Sequence, residues 1–143
     1  MDMPMSRSLA TDSGSCPHPV PPGAAVLVVD DETEVAESLA FLLRANGFDV
    51  TVALDRGEGR SAMAQRRFDV VITDLDMPGN SRGWLAGLRA DNPDACLIVM
   101  TGLEPSGAAY TDLHQLADAV FLKPHDGEEL LRTLRGGPPP AWS

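Results

Sequence analysis

Five side chains in this sequence could do chemistry, and each stands where an apolar run stops. Asp30 and Asp31 follow Ala25-Val26-Leu27-Val28-Val29, and Asp74 closes Val70-Val71-Ile72-Thr73. Thr101 follows Cys96-Leu97-Ile98-Val99-Met100, and Lys123 follows Ala119-Val120-Phe121-Leu122. Taken singly, Asp74 would be read as the cap of the next turn, a task Asp performs well. Brought together, three carboxylates repel one another and call for a hard divalent cation as counter-charge. A hydroxyl and an ammonium at the same place would stabilise negative charge on an oxyanion, the main demand of phosphoryl transfer.

Such convergence requires a scaffold in which all the strand ends share one edge. Val70-Val71-Ile72 is β-branched and shows no alternation, which predicts a strand buried on both faces in the middle of a parallel sheet. Ala25–Val29, Phe48–Ala53, Cys96–Met100 and Ala119–Leu122 supply four more strands. Between them lie helical patterns. Thr33 is a plausible N-cap for a helix whose inner face is Val35, Leu39, Leu42 and Leu43, and Asn46-Gly47 stops it. A weaker helix covers 57–67 with Ala62 and Met63. Another starts near Arg82 with Trp84, Leu85 and Leu88, and a poorly patterned one covers 107–117. The last covers 126–135 with Leu130, Leu131 and Leu134. Five strands alternating with five helices predict a doubly wound α/β sheet with helices on both faces. In such sheets ligands bind at the edge where the strands run out into loops.

With these residues in order, the body resembles the receiver domain of two-component response regulators. The resemblance rests on Val-Leu-Val-Val-Asp30-Asp31-Glu32, Val-Val-Ile-Thr-Asp74 followed by Met77-Pro78-Gly79, Val-Met-Thr101-Gly102, and Phe-Leu-Lys123-Pro124. It implies a flavodoxin-like five-stranded sheet of order 2-1-3-4-5. It also implies Asp74 as the acceptor of a phosphoryl group from a partner's phosphohistidine. By the same resemblance Asp30, Asp31, Asp74 and the backbone carbonyl of Asp76 hold Mg²⁺, Thr101 contacts a phosphoryl oxygen, and Lys123 forms a salt bridge across the site. The backbone N–H groups of Asp76 and Gly102 would contact the phosphoryl group, and the Lys123–Pro124 bond would be cis.

Lys123 is the only lysine, the other ten basic residues being arginine. That contrast fits a position needing a compact ammonium on a flexible stem. Two features depart from the family. The switch position three residues before Lys123 is Val120 instead of an aromatic, with Phe121 on the opposite face of the strand. The loop 79–83 is one residue longer than the common form. Glu32 reads as a charge near a helix start, His114 and His125 as surface residues, and Trp84 and Tyr110 as packing residues. Asp74-Leu75-Asp76 also suits a haloacid-dehalogenase-type phosphohydrolase that would use Asp74 and Asp76. In that family, however, the motif lies on the first strand and the acidic pair comes late. A receiver-like binding module that is never phosphorylated is a third reading, against which the full set of site residues stands.

Length and composition frame these readings. At 143 residues the chain suits one domain with a real core. Residues 1–23, rich in Pro, Ser and Gly, read as a disordered tail that includes His18; 24–136 form the receiver-like body and 137–143 a second tail. Cys16, in the tail, and Cys96, in a strand, are expected to form neither a disulfide framework nor a zinc site. A cytoplasmic protein follows as the default. The formal charge of −10 argues against direct nucleic-acid contact, and no apolar run suits a membrane span. No room for a DNA-binding helix-turn-helix is expected after the body. The partners expected are a sensor histidine kinase or histidine phosphotransfer protein and a downstream protein target, with a homodimer possible in principle. No direct nucleic-acid partner and no membrane belong to that set.

Overall fold

The uninterrupted apolar runs become strands because only a doubly covered sheet can bury every residue of such a run. β1 (Ala25–Val29), β3 (Val70–Asp74) and β4 (Cys96–Thr101) are buried along their whole lengths. β2 (Asp49–Ala53) and β5 (Ala119–Leu122) complete a parallel sheet of order β2-β1-β3-β4-β5. The computed structural model describes residues 16, 20–77, 80–102, 115–122 and 127–135. Lys123, Pro124 and their peptide bond, the loop at Pro78 and Gly79, His18, Tyr110, His114, His125 and most of the helix expected at 107–117 lie outside them.

Four helices among the described residues cover the sheet: α1 (Thr33–Ala45), α2 (Arg56–Gln65), α3 (Ser81–Asp91) and α4 (Gly127–Arg135). Alternation along β1 sends Val26 and Val28 to one side and Ala25, Leu27 and Val29 to the other. The first side packs against Ala36, Leu39, Ala40 and Leu43 of α1 and Leu130, Leu131 and Leu134 of α4. The second packs against Trp84, Leu85 and Leu88 of α3, with Ala62 and Met63 of α2 at its margin. Val120 and Phe121 fall on opposite sides, as the strand period requires.

Local chemistry explains the element boundaries. α1 begins at Thr33 with Glu32 in the cap position and no side-chain cap bond, so Thr33 is a helical residue instead of the N-cap. Asp30 Oδ1 does the local work there by accepting the Glu32 N–H at 2.9 Å. Gly47, at φ 92°, ends the helix in a conformation that costs other residues strain. α2 starts one residue earlier than the pattern suggested because Asp55 accepts the Glu58 N–H at 2.7 Å while Glu58 returns to the Leu54 N–H at 2.8 Å. Asn80 caps α3 through the Gly83 N–H. Gly59 lets α2 lie close to the sheet, since a Cβ there would stand 3.3 Å from Val29 Cγ2 and 3.4 Å from the Trp84 ring.

One sequence expectation is overturned here. Cys16 and Cys96 form a disulfide, with Cα atoms 5.2 Å apart across a sequence separation of 80. Cys16 and Val20 are buried against the α1–α4 side of the core, and the Val20 N–H donates to the Leu134 carbonyl at 3.0 Å. The pairing was hidden because it depends on where Cys16 sits against the start of β4 in the folded chain, which no local pattern encodes.

The opposite edge of the sheet, away from the strand ends that carry Asp30 and Asp74, is tied by carboxylates. Asp69 accepts the Ala25 N–H at 2.9 Å. Asp118 accepts the Leu97 N–H at 2.8 Å and an Arg89 N–H at 2.7 Å. Replacing half-buried Asp118 by Ala leaves the Leu97 N–H without its acceptor and removes the ion pair to Arg89, whose other donors stay on the Leu116, Pro93 and Ala95 carbonyls. Asp118→Ala is therefore expected to lower stability by about 1–3 kcal/mol. Urea denaturation checks this, and a loss within a few tenths of a kcal/mol would mean that solvent replaces the carboxylate.

Candidate phosphoryl site

Strand register delivers the carboxylates to one place. Val29 pairs with Thr73, which sets Asp30 level with Asp74. Asp74 pairs with Met100, so Thr101 stands one residue beyond it on the neighbouring strand. Thr101 in turn pairs with Leu122, the residue before Lys123. Asp30 and Asp74 are buried, at 0% and 1% exposure, and Asp31 is exposed. One carboxylate oxygen from each lies within 4.8 Å of the other two. Three carboxylates at that spacing repel strongly unless a cation lies among them. An all-oxygen set with one side open to solvent suits a hard divalent ion that keeps several waters.

The loop after β3 is held from several sides. The Leu75 N–H donates to the Met100 carbonyl at 2.8 Å, and the Asp76 N–H donates to Asp74 Oδ1 at 2.9 Å. Ser81 Oγ donates to the Leu75 carbonyl. Beneath the loop, Trp84 Nε1 donates to Thr73 Oγ1 at 3.0 Å, and Thr73 Oγ1 donates to the Asp74 carbonyl at 3.2 Å. Trp84 is therefore a packing residue with a polar handle on the strand that carries Asp74.

Sequence reasoning missed a cation here. Arg56 reaches from the first turn of α2 toward Ser81 Oγ, at 3.4 Å, and stacks over the Trp84 ring at 5.5 Å from its centroid. Arg60 lies at the same distance from that ring. Burial lowers the pKa of Arg56 below its ordinary value and Arg60 lowers it further, while Asp74 opposes both. Its Nε is buried with no hydrogen-bond partner among the described residues. The available signal was Asp55, whose capping role fixes Arg56 in the first helical turn.

Thr101 is buried at the end of β4, and Gly102 is exposed just beyond it. Thr101 Oγ1 donates to Asp76 Oδ1 at 3.2 Å, and the Gly102 N–H donates to Asp76 Oδ2 at 2.8 Å. The Asp76 side chain thus takes a place where only its backbone was expected to act. Val120, expected at the switch position, is a buried β-branched residue at 2% exposure with little surface to present. A groove of about 350 Å³ runs between Phe68–Asp69 and Asp91–Ala95 at the other edge of the sheet, remote from this chemistry.

A five-stranded parallel sheet of this order, with acidic residues gathered at its C-terminal edge, defines a doubly wound α/β protein of the flavodoxin-like class. The family model of the response regulator receiver domain matches residues 26–135, and the chain belongs to that family. It is 33% identical over 111 residues to the DNA-binding response regulator MtrA of Mycolicibacterium paratuberculosis, covering 77% of this chain and 49% of that protein. The chain therefore spans about half the length of the curated relative it matches. The response regulator TrrA of Thermotoga maritima, solved in complex with Mg²⁺-BeF, superposes with a TM-score of 0.68 at 27% identity, covering 79% of this chain and 97% of that one. A response regulator from Burkholderia pseudomallei, solved with a phosphorylated aspartic acid, a calcium ion and citrate, gives 0.68 at 27%, covering 78% and 66%.

These similarities make the chain a phosphoacceptor signalling domain, and the hydrolase reading is not favoured. They also correct the partner set expected from sequence. MtrA is a DNA-binding regulator, so the exclusion of nucleic acid falls. Acidic charge describes the surface of a receiver domain and says nothing of a whole protein in which such a domain is one part. Among the described residues no helix is long and apolar enough to cross a membrane.

Proposed function

We propose that Asp74 accepts the phosphoryl group and that Asp30, Asp31, Asp74 and the Asp76 carbonyl hold a Mg²⁺ ion beside it. The observation that carries this reading is the approach of the Asp30, Asp31 and Asp74 carboxylates to within 4.8 Å of one another at the sheet edge. The ion, when bound, neutralises charge developing on the phosphoryl oxygens. Asp74 supplies the attacking oxygen. The Asp76 N–H on Asp74 Oδ1 orients the carboxylate. Thr101 Oγ1 and the Gly102 N–H are the donors for the transferred group, and Lys123 supplies a compensating positive charge from the neighbouring strand end. The domain acts as a self-phosphorylating acceptor and not as an enzyme upon other substrates. A cytoplasmic setting is in keeping with response regulators.

The test uses a small-molecule phosphodonor such as acetyl phosphate. With Mg²⁺ the chain is expected to take up one phosphoryl group per molecule, read by intact-mass spectrometry. Chelation with EDTA is expected to reduce uptake to background, since the carboxylates then repel the incoming anion. Sustained turnover of a phosphomonoester would instead support the hydrolase, and metal-independent uptake would refute the cation's role.

A further inference from the structure

The two donors assigned to the phosphoryl group are already engaged. Thr101 Oγ1 and the Gly102 N–H both donate to the Asp76 carboxylate, one to each oxygen. A hydroxyl and a backbone amide each have one proton to give. They cannot serve Asp76 and a phosphoryl oxygen at full strength together. The Asp76 carboxylate, like a phosphoryl group, offers negatively charged oxygens to both donors.

We propose that the Asp76 carboxylate is a built-in competitor: it seats itself on the phosphoryl-binding donors and must swing away before Asp74 can hold a phosphoryl group. The inference rests on Asp74 being the acceptor. Asp76 is exposed, so its carboxylate can turn into water without carrying a buried charge with it. Its backbone N–H stays on Asp74 Oδ1, so the displacement needs only side-chain rotation. During transfer, a carboxylate oxygen of Asp74 bonds to phosphorus while the bond from phosphorus to the donor breaks, and the leaving group keeps that electron pair. The Thr101 O–H and Gly102 N–H then turn their hydrogen bonds from Asp76 to the new phosphoryl oxygens. Like charge between the phosphoryl group and Asp76 favours the same exchange. The competitor therefore sets a threshold, stabilising the unphosphorylated state against weak phosphodonors.

The test measures binding of beryllofluoride with Mg²⁺, a non-covalent phosphoryl mimic, by isothermal titration. Asp76→Ala is expected to bind it about tenfold more tightly than the wild type, the scale of a charge-assisted hydrogen bond partly offset by solvent. The gain is expected to shrink by at least half in a Thr101→Val background, because one contested donor is then gone from both partners. Unchanged or weaker binding by Asp76→Ala overturns the competitor. A gain that persists undiminished in Thr101→Val also overturns it, since removal of a nearby negative charge would then suffice. If neither wild type nor Asp76→Ala binds the mimic, the acceptor reading itself fails and the competitor falls with it. Amide exchange at Gly102 without the mimic gives a separate readout. Faster exchange in Asp76→Ala than in the wild type supports the competitor, and equal rates overturn it.

Discussion

Asp74→Ala is expected to take up no phosphoryl group under conditions that label the wild type, while keeping its fold. The carboxylate is the only proposed nucleophile, and the groups around it position or neutralise charge without offering a second bond to phosphorus. Folding should survive because β3 is held by its backbone ladder to β1 and β4, and Asp74 lies at its last position. Removing one of three crowded carboxylates also relieves repulsion, so urea denaturation should show stability unchanged or raised by up to about 1 kcal/mol. Loss of uptake with loss of fold would be uninformative for a core residue, but here the two are separable. Label persisting in a folded Asp74→Ala protein would move the acceptor elsewhere, with Asp76 the nearest candidate.

Cys16→Ser carries the largest expected cost in stability. The disulfide closes a loop spanning 80 positions, and a cross-link of that reach restricts the unfolded chain by about 4.5 kcal/mol in the chain-entropy account. The segment it anchors also brings Cys16 and Val20 into the core and places the Val20 N–H on the last turn of α4. Cys96 remains a buried thiol in the variant, a state that a small apolar side chain tolerates well. Denaturation of the wild type with and without dithiothreitol, beside Cys16→Ser, separates the contributions. Reduced wild type should match the variant, and the variant should not respond to reductant. If oxidised and reduced wild type unfold at the same urea concentration, the cross-link contributes nothing.

Most of the scaffold was legible because its signals are local. Val70-Val71-Ile72 can only be satisfied by cover on both faces, and Val26-Leu27-Val28 likewise, so the strands and a doubly covered parallel sheet followed from the pattern, while the strand order came from the family resemblance. Asp30, Asp31, Asp74 and Thr101 were legible because each interrupts such a run at its end. What escaped depends on where a side chain turns once the fold exists. Thr33 looks like a cap, yet the chain enters α1 one residue earlier and Asp30 takes the exposed amide. Arg56 looks like a surface residue, yet the first turn of α2 sets it over Trp84. Asp76 looks like a loop acid, yet the turn closed by its N–H on Asp74 Oδ1 carries a carboxylate that sits on Thr101 and Gly102. Cys16 gave no sign of its partner because disulfide geometry is a property of the folded Cα positions.

The most direct measurement is the location of the phosphoryl group in the wild-type chain. After labelling with Mg²⁺ and a phosphodonor, the acyl phosphate is trapped with hydroxylamine, the protein is digested, and the modified residue is identified by tandem mass spectrometry. The expected result is a single hydroxamate on Asp74, absent when EDTA replaces Mg²⁺. A hydroxamate on Asp30, Asp31 or Asp76 with Asp74 unmodified would contradict the assignment of the acceptor and everything built on it.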